Sequence, residues 1–338
     1  MTRSLLVLGG SSFVGRALVE EGLARGWAVT TFNRGRGGWS DPRAQRLIGD
    51  RLGPATLAPL GARDWDLVAD TWAGAPRAAR DSAVVLAGHV GHYAYISSCS
   101  VYAPPPPFGL DEETATVDAS PEAEETGYAA DKRGAELAIA QAFGDRALLA
   151  RPGLILGPHE DVGRLPWWLA RLAAGGEVLA PGPADLPLQY IDARDLARFT
   201  LDGAAAGLAG PFNAVSRRGH ATMASVLEAC RATAGAPDAH LTWVAPETIA
   251  AAGIEPWTEL PIWLPPDHEY AAMHGANVER AHAAGLRCRP IAETVADTWA
   301  WLQALDGAPP LRTDLDPPGV GHDRELAALR AWHDRAGC

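Results

Sequence analysis

Short apolar runs alternate with helical patterns along the first half of the chain. Residues 5–8 form an apolar run without polar alternation, which is typical of a buried parallel strand. A glycine-rich segment and an amphipathic helical pattern over 17–24 follow it. Further strands are predicted at 28–32, 47–51, 65–72, 92–102 and 147–153, and a strand that enters a helix at 188–196. This alternation predicts an α/β fold of the Rossmann type, with a doubly wound parallel sheet.

The pattern changes after about residue 160. Short helices, Pro/Gly turns and most of the tryptophans accumulate there, which predicts a smaller mixed α/β lobe over the cleft. We therefore expect a dinucleotide-binding domain over 1–160, with sheet strands returning near 188–215. A mainly substrate-binding lobe over 161–305 and a C-terminal tail with an amphipathic helix over 306–338 would follow.

Charge and cysteine usage exclude several classes of function. The net charge of −12 argues against nucleic acid as a partner, because the phosphate backbone calls for a basic face. The four cysteines form no CxxC, and the histidines lack the spacing of zinc ligands, so we predict free thiols and no metal site. No apolar run reaches about 18 residues, so no membrane association is expected. We expect a cytoplasmic protein.

Residues 9–15 predict a site for the pyrophosphate of a dinucleotide. They follow a strand and open a helix, which is the context that such a fingerprint requires. Gly9 permits a tight turn, Gly15 allows close packing, and the first amides of the helix face the pyrophosphate. Ser12 stands where a glycine is usual and can itself donate to a phosphate. A plain strand-to-helix turn is the alternative. The expected cofactor contacts are Gly9, Ser11, Ser12, Phe13, Val14 and Gly15.

The end of the second predicted strand favours NADP(H) over NAD(H). NAD-specific sites place Asp or Glu at this point to hold the ribose 2′-hydroxyl. Here Asn33 is followed by Arg34 and Arg36, and a guanidinium suits a 2′-phosphate in charge and in geometry. We predict these three residues as cofactor contacts, with NADP(H) preferred and NAD(H) as the alternative. The other interpretation is a solvated basic turn.

Further cofactor contacts are predicted at the carboxyl ends of other strands, where ligands bind in doubly wound sheets. Asp50 ends the third predicted strand, at a position where an adenine amino group could be recognised. A cluster of hydroxyl groups over 97–100 closes the fifth predicted strand and is expected to line the cleft. The complete set of contacts expected from these strand ends is Asp50, Arg51, Thr71, Trp72 and Pro152.

Lys132 is the only lysine among the 29 lysine and arginine residues of the chain. Arginine cannot replace lysine where a compact donor must lie against a phenol or a ribose. Tyr128 lies four residues before Lys132, so the two share one face of a helix. From this segment alone, a surface lysine on an ordinary amphipathic helix is an equal alternative.

Six motifs together resemble the extended, or atypical extended, short-chain dehydrogenase/reductase superfamily, within the NAD-dependent epimerase/dehydratase group. The resemblance spans about residues 4–305, and its motifs lie at 9–15, 33–35, 49–51, 97–102, 128–132 and 151–153. It implies that Ser98 is the catalytic serine, with Ser97 and Ser100 as close alternatives. It also implies that Tyr128 is the acid/base and that Lys132 is its partner and binds the nicotinamide ribose. It also implies that Ser100 contacts the substrate. Positions 99 and 100 carry no Asp or Glu, which argues against 4,6-dehydration.

The chemistry of these side chains agrees with such roles. A free phenol has a pKa of about 10, and an adjacent ammonium favours the phenolate and lowers that pKa. A serine hydroxyl can polarise the carbonyl that is formed or reduced. We therefore expect an NADP(H)-dependent oxidoreductase that transfers a hydride to or from a carbonyl or carbinol carbon of a small polar metabolite.

Three residues of the second lobe, Arg164, Trp168 and Tyr190, are candidate substrate contacts, with core or surface placement as an equal alternative. One rival function is a nucleotide-sugar epimerase with tightly held NAD(P). A second is a non-catalytic RNA-binding or regulatory family member, against which the net charge and the Tyr-Lys pair count. The expected binding partner is a small-molecule substrate, and a homodimer is the one assembly proposed.

Overall fold

The computed structural model describes residues 2–36, 38–124, 126–305 and 307–336. Its strands are β1 (Ser4–Leu8), β2 (Ala28–Asn33), β3 (Gln45–Ile48), β4 (Trp65–Asp70), β5 (Val90–Ile96), β6 (Ala147–Arg151), β7 (Leu154–Leu156), β8 (Glu177–Pro181), β9 (Pro187–Leu188), β10 (Tyr190–Asp192), β11 (Gly210–Asn213), β12 (Ala221–Thr222) and β13 (His240–Val244). Its α-helices are α1 (Phe13–Ala24), α2 (Pro76–Leu86), α3 (Tyr128–Phe143), α4 (Arg164–Ala173), α5 (Ala193–Ala205), α6 (Met223–Ala234), α7 (Pro246–Ala251), α8 (Glu279–Ala283), α9 (Ile291–Gln303) and α10 (His322–Ala336). Within the described ranges, no helix has the length and apolar content needed to cross a membrane.

Seven strands form one sheet in the order β11-β6-β5-β4-β1-β2-β3, and every neighbouring pair in it is parallel. The chain enters at β1, runs outward to β3 and then crosses back to β4 on the other side of β1. In sheets of this kind, ligands bind at such a reversal of strand order, beyond the carboxyl ends of the strands. The predicted doubly wound α/β fold is confirmed.

Burial on both faces explains the apolar runs that predicted this sheet. Leu5, Leu6 and Val7 of β1 have no exposed surface, and helices α2 and α3 pack alanine and larger apolar side chains into the same core as β4 and β5. A strand covered on both faces has no polar alternation, which is why the sequence pattern was continuous.

Some predicted strands extended too far at their carboxyl ends. The strand predicted over 92–102 ends at Ile96, and Cys99–Val101 form a 3-10 turn instead. The side chain of Ser98 accepts a hydrogen bond from Ser100 N at 3.1 Å and so caps this turn. A serine that bonds its neighbouring main chain competes with the strand ladder. The hydroxyl cluster therefore lies in a turn beyond the sheet.

The chain divides into two compact units. The first contains the seven-stranded sheet and comprises the described residues of 1–153, 193–215 and 276–288. The second comprises those of 154–192, 216–275 and 289–338 and has its own core, in which Trp168 and Trp263 are fully buried. The tail expected over 306–338 contributes α10 to this second unit. There the buried Glu325 accepts a hydrogen bond from Arg171 Nε at 2.7 Å.

Glu160 is a fully buried carboxyl group in the second unit. Its two oxygens accept hydrogen bonds from Arg164 N (2.8 Å) and Leu165 N (3.2 Å), so it caps the beginning of α4. Burial raises the pKa of Glu160 from its ordinary value of 4.5 to about 7. The folded state therefore holds this proton more tightly than the unfolded state. The resulting stabilisation is complete below pH 4.5 and is lost as the pH rises towards 7.

We expect Glu160→Gln to remove this dependence on pH. Between about pH 5 and pH 8, the free energy of unfolding should shift in favour of the variant by at most about 3 kcal/mol. Urea unfolding of both proteins at several pH values measures this difference. Glu255→Gln, which changes an exposed carboxylate of the same unit, is the matched control and should show no such shift. A constant difference between Glu160→Gln and the unmodified protein would contradict the assignment.

Candidate active site

Two glycines turn the chain sharply after β1. Gly9 and Gly10 have φ values of 119° and 88°, a region that glycine adopts readily and other residues rarely. A Cβ on Gly9 would lie 2.4 Å from Thr71 Oγ1, and a Cβ on Gly15 would lie 2.7 Å from Gly10 N. The absence of side chains at these positions therefore lets the first turn of α1 pack directly onto the end of the sheet.

Helix α1 begins without a side-chain cap. Ser12 precedes it in an extended conformation and makes no side-chain capping bond, and the first turn contains no acidic residue. The first helical bond runs from Arg16 N to Ser12 O at 3.0 Å, so the N–H groups of residues 13–15 have no acceptor within the helix. Free amides at a helix N-terminus suit a pyrophosphate, so this segment fits the dinucleotide predicted for it.

The end of β2 is neutral and is followed by exposed arginines. The side-chain amide of Asn33 donates to Gly9 O at 3.1 Å and accepts from Gly35 N at 2.9 Å. This residue therefore connects the glycine turn to the segment that bears Arg34 and Arg36, both of which are exposed. A ribose at this strand end would meet an amide and guanidinium groups.

The predicted contacts Asp50 and Arg51 differ in their surroundings. Asp50 is half-buried and accepts from Leu52 N at 3.0 Å. The guanidinium of Arg51 is buried and donates to both carboxylate oxygens of Asp70, at 2.5 and 2.9 Å. It also donates to Ser82 Oγ at 3.0 Å. The guanidinium of Arg51 is therefore engaged within the protein. A cofactor contact by Arg51 stays a prediction.

Lys132 lies on α3, and its side chain is buried. Its ammonium donates to Trp72 O at 2.6 Å and to Ile96 O at 2.7 Å. It also lies 4.9 Å from the centroid of the Tyr95 ring, and the Tyr95 hydroxyl donates to the same Trp72 O at 2.9 Å. The ammonium is thus held where β4 and β5 end, and it is not the solvated surface group considered as the alternative.

Tyr128 and Ser98 lie on elements adjoining this ammonium. Tyr128 is the first residue of α3, is 52% exposed and precedes Lys132 by one helical turn. Ser98 is buried and follows Ile96 by two residues, and its hydroxyl donates to the hydroxyl of the exposed Ser100 at 3.1 Å. Tyr128 thus lies on the helix that carries Lys132. The turn over residues 97–101, here called the serine turn, directly follows β5, whose last residue Ile96 accepts from the ammonium.

Neighbouring acidic groups keep their protons at neutral pH. Burial raises the pKa of the Cys99 thiol to about 11, and burial also raises the pKa of Tyr95 well above 10. Neither group can therefore take a proton from a substrate near pH 7. Among these three groups, this leaves the half-exposed Tyr128 as the candidate for proton exchange.

The sequence model of the NAD dependent epimerase/dehydratase family matches residues 5–211, from β1 to the beginning of β11. The chain belongs to this family. The resemblance inferred from its motifs is thereby confirmed.

Solved structures with the family fold resemble the chain along most of its length. A candidate epimerase from Burkholderia cenocepacia J2315 is 22% identical with a TM-score of 0.65, covering 91% of this chain and 99% of its own. WbmH from Bordetella bronchiseptica, solved with NAD+, is 18% identical with a TM-score of 0.63, and the coverages are 90% and 99%. UDP-N-acetylglucosamine 4-epimerase from Methanobrevibacter ruminantium M1, solved with UDP-N-acetylmuramic acid, is 16% identical with a TM-score of 0.67, and the coverages are again 90% and 99%. These similarities establish a shared fold. None of the curated proteins matches the chain significantly.

Two other residues predicted to line the cofactor site are bonded to the main chain around it. Thr71 Oγ1 donates to Leu8 O at 3.1 Å, and Pro152 O accepts from Cys99 N at 2.8 Å. Thr71 thus connects the end of β4 to the beginning of the glycine turn, and Pro152 connects the end of β6 to the serine turn. Direct cofactor contacts by Thr71, Trp72 and Pro152 stay predictions.

A buried ion pair connects α3 of this family member to the serine turn. Glu136, one turn after Lys132, accepts two hydrogen bonds from Arg151, both of 2.8 Å. Arg151 also donates to the hydroxyl of Tyr102, which follows the serine turn, at 3.2 Å. Burial would raise the pKa of Glu136, but its bonds to Arg151 hold it below the ordinary value.

This pair was not predicted from the sequence. The sequence motifs include Arg151 only as part of a strand end, and they assign no role to Glu136. The available signal was a glutamate one turn after Lys132, on the helix face that also carries the buried Ala135 and Ile139. A charge placed among such neighbours is rarely buried without a partner.

The three candidate substrate contacts lie in the second unit. Trp168 is fully buried, and its indole N–H donates to Pro261 O at 2.8 Å. Tyr190 is 1% exposed, and its hydroxyl donates to Arg289 O at 2.9 Å. The guanidinium of Arg164 lies 4.9 Å from the Trp257 ring centroid. The burial of Trp168 and Tyr190 favours the core placement given as the alternative, and substrate contact by all three stays a prediction.

Proposed function

We propose that the protein is a nicotinamide-dependent oxidoreductase in which Ser98, Tyr128 and Lys132 act on a small polar carbonyl or carbinol substrate. The observation that carries the proposal is the buried ammonium of Lys132 one turn after a half-exposed phenol. Membership of the NAD dependent epimerase/dehydratase family supports the use of a nicotinamide dinucleotide. The unpaired amides of α1 provide a place for its pyrophosphate.

The bound dinucleotide would donate or accept the hydride. Tyr128 would exchange the hydroxyl proton of the substrate, since the neighbouring ammonium of Lys132 favours phenolate over phenol. Ser98 would donate a hydrogen bond from its hydroxyl group to the carbonyl oxygen, in place of the hydrogen bond that it now donates to Ser100, and would keep its proton.

A screen of NADPH oxidation and NADP+ reduction against carbonyl and alcohol metabolites tests this function. We expect at least one small polar carbonyl compound to be reduced, or its alcohol oxidised, in stoichiometric amounts. An amount of NADPH oxidised, or of NADP+ reduced, that equals the amount of product formed would demonstrate net oxidoreduction. Turnover without any net change in the nicotinamide would contradict it.

We further propose NADP(H) as the preferred form of the cofactor. The strand end at Asn33 offers no carboxylate, and the amide oxygen of this residue is occupied by Gly35 N. Arg34 and Arg36 are exposed beside it, and a guanidinium can pair with a 2′-phosphate through two hydrogen bonds.

We expect Arg34→Ala to weaken NADPH binding by about ten- to a hundredfold and to leave NADH binding nearly unchanged. A lost charge-assisted hydrogen bond explains this magnitude. Isothermal titration calorimetry with both cofactors measures the difference. Arg43→Ala is the control, because this exposed arginine already pairs with Asp41. Equal losses for the two cofactors in Arg34→Ala would refute the preference.

The family and its structural neighbours also support a second candidate, a nucleotide-sugar epimerase that returns the hydride to the opposite face of the same carbon. One neighbour binds NAD+ and another binds UDP-N-acetylmuramic acid. Cofactor that survives purification, with sugar epimerisation that needs no added nicotinamide, would favour this candidate over net oxidoreduction.

A further inference from the structure

A buried polar cluster adjoins the main chain that holds Lys132. Its centre is Asp70, the last residue of β4, which has no exposed surface. The carboxylate accepts two hydrogen bonds from Arg51, one from the hydroxyl of Tyr93 at 2.6 Å and one from Trp72 N at 2.9 Å. Arg51 is 6% exposed and also donates to Ser82 Oγ. Every oxygen of the carboxylate is therefore engaged.

Trp72 connects this cluster to the ammonium. Its N–H is held by Asp70, and its carbonyl accepts from Lys132 Nζ at 2.6 Å and from the Tyr95 hydroxyl at 2.9 Å. Its indole ring lies 5.0 Å from the guanidinium of Arg51, and its indole N–H donates to Ala75 O at 2.9 Å. The main chain of residue 72 is thus held from both sides.

The stability of the fold does not by itself account for such a pair. Removing two charges from water offsets most of their attraction, so a buried ion pair contributes little net free energy compared with apolar side chains. A buried pair does, however, fix the atoms bonded to it in one geometry, since any displacement leaves a charge unpaired. Here the atoms so fixed are those of Trp72, and the group bonded to them is Lys132.

We propose that the Arg51–Asp70 ion pair is a positioning device for Lys132 and that it acts through the main chain of Trp72. Arg51 then serves the active site from within the protein, through a guanidinium that is bonded to Asp70 and Ser82. The catalytic consequence rests on the proposed function, in which Lys132 tunes Tyr128. The position of the ammonium can be measured independently of that function.

The single lysine provides a specific probe of this position. Labelling with ¹⁵N-lysine yields one side-chain ammonium resonance, from Lys132, in the full-length protein. We expect Asp70→Asn and Arg51→Met to shift or broaden this resonance, because the carbonyl of Trp72 moves away from the ammonium. Glu325→Gln is the matched control. It removes the charge of another buried carboxylate, paired with Arg171 at 2.7 Å in the second unit, and should leave the resonance in place.

Asp70→Asn and Arg51→Met each remove a buried charge and can prevent folding, so a third variant with a smaller change is needed. Tyr93→Phe deletes one hydrogen bond to Asp70 without leaving a charge unpaired and should shift the resonance in the same direction by a smaller amount. An unchanged resonance in the folded variants of Asp70, Arg51 and Tyr93 would overturn the proposal. A shift of equal size in Glu325→Gln would also overturn it.

Kinetics separate positioning from a merely structural role. With a substrate found by the metabolite screen, Asp70→Asn should lower kcat by about tenfold or more with little change in KM. A displaced ammonium favours the phenolate of Tyr128 less, so in the direction of alcohol oxidation, where Tyr128 would act as the base, the acidic limb of the kcat/KM profile should move to higher pH. A structural pair would lower Tm and leave both kcat per folded molecule and the pH profile unchanged. If the resonance shifts but no substrate turns over, the positioning stands and only the proposed function fails.

Discussion

Replacing Tyr128 with phenylalanine should reduce turnover by about 10²–10⁴-fold while cofactor binding persists. The substitution removes the phenol hydroxyl that would exchange a proton with the substrate and retains the aromatic ring. Tyr128 is half-exposed at the beginning of α3, so the loss of its hydroxyl should leave the free energy of unfolding almost unchanged. Single-turnover rates and calorimetric cofactor titration measure the two quantities separately.

Tyr270→Phe is the matched control for this variant. Tyr270 is also an exposed tyrosine, with 39% of its surface accessible, and it lies in the second unit. We expect turnover in this control to be unchanged. Normal turnover in Tyr128→Phe would refute the assignment of Tyr128 as acid/base, whichever substrate is used.

Replacing Glu136 with alanine should lower the free energy of unfolding by about 3–5 kcal/mol. Glu136 has no exposed surface, and its removal leaves the guanidinium of Arg151 buried without its carboxylate partner. The same change releases the connection between α3 and Tyr102. Urea unfolding, followed by tryptophan fluorescence, measures the loss.

Two other variants calibrate this result. Glu136→Gln keeps an acceptor for Arg151 but removes the charge, so its effect should be smaller than that of Glu136→Ala. Glu228→Ala deletes an exposed carboxylate of α6, paired with Arg231 at 2.8 Å, and should cost less than about 1 kcal/mol. A similar cost for Glu136→Ala and Glu228→Ala would contradict the expectation that the variant leaves a buried guanidinium without its partner.

Much of the first unit could be predicted because its signals are local. The turn after β1 needs positive φ at Gly9 and Gly10, and few other residues adopt that conformation. The apolar run of β1 reflects burial on both faces, which any parallel sheet with helices on each side imposes. The spacing of Tyr128 and Lys132 places them on one helix face wherever that helix packs.

The partners of buried charges could not be predicted in this way. Arg51 and Asp70 are 19 residues apart, and Tyr102 meets Asn213 across 111 residues at 2.5 Å. Such contacts depend on which strand lies beside which, and several strand orders agree with the same alternating pattern. An arginine after a strand therefore suggested a cofactor contact for Arg51, although its guanidinium bonds within the protein.

Local sequence was thus sufficient for the α/β fold and the glycine turn, since backbone conformation acts over a few residues, and the resemblance of the motifs was sufficient for the family. The catalytic roles of Ser98, Tyr128 and Lys132 stay predictions. The folded chain was needed to show that the ammonium of Lys132 is buried on two carbonyl groups and that Trp168 and Tyr190 lie in a core. It also showed that the main chain of Trp72, which accepts from that ammonium, is bonded to Asp70 of the Arg51–Asp70 pair. Burial and the choice of hydrogen-bond partner are set by where distant strand ends meet, and that is decided only when the sheet is assembled.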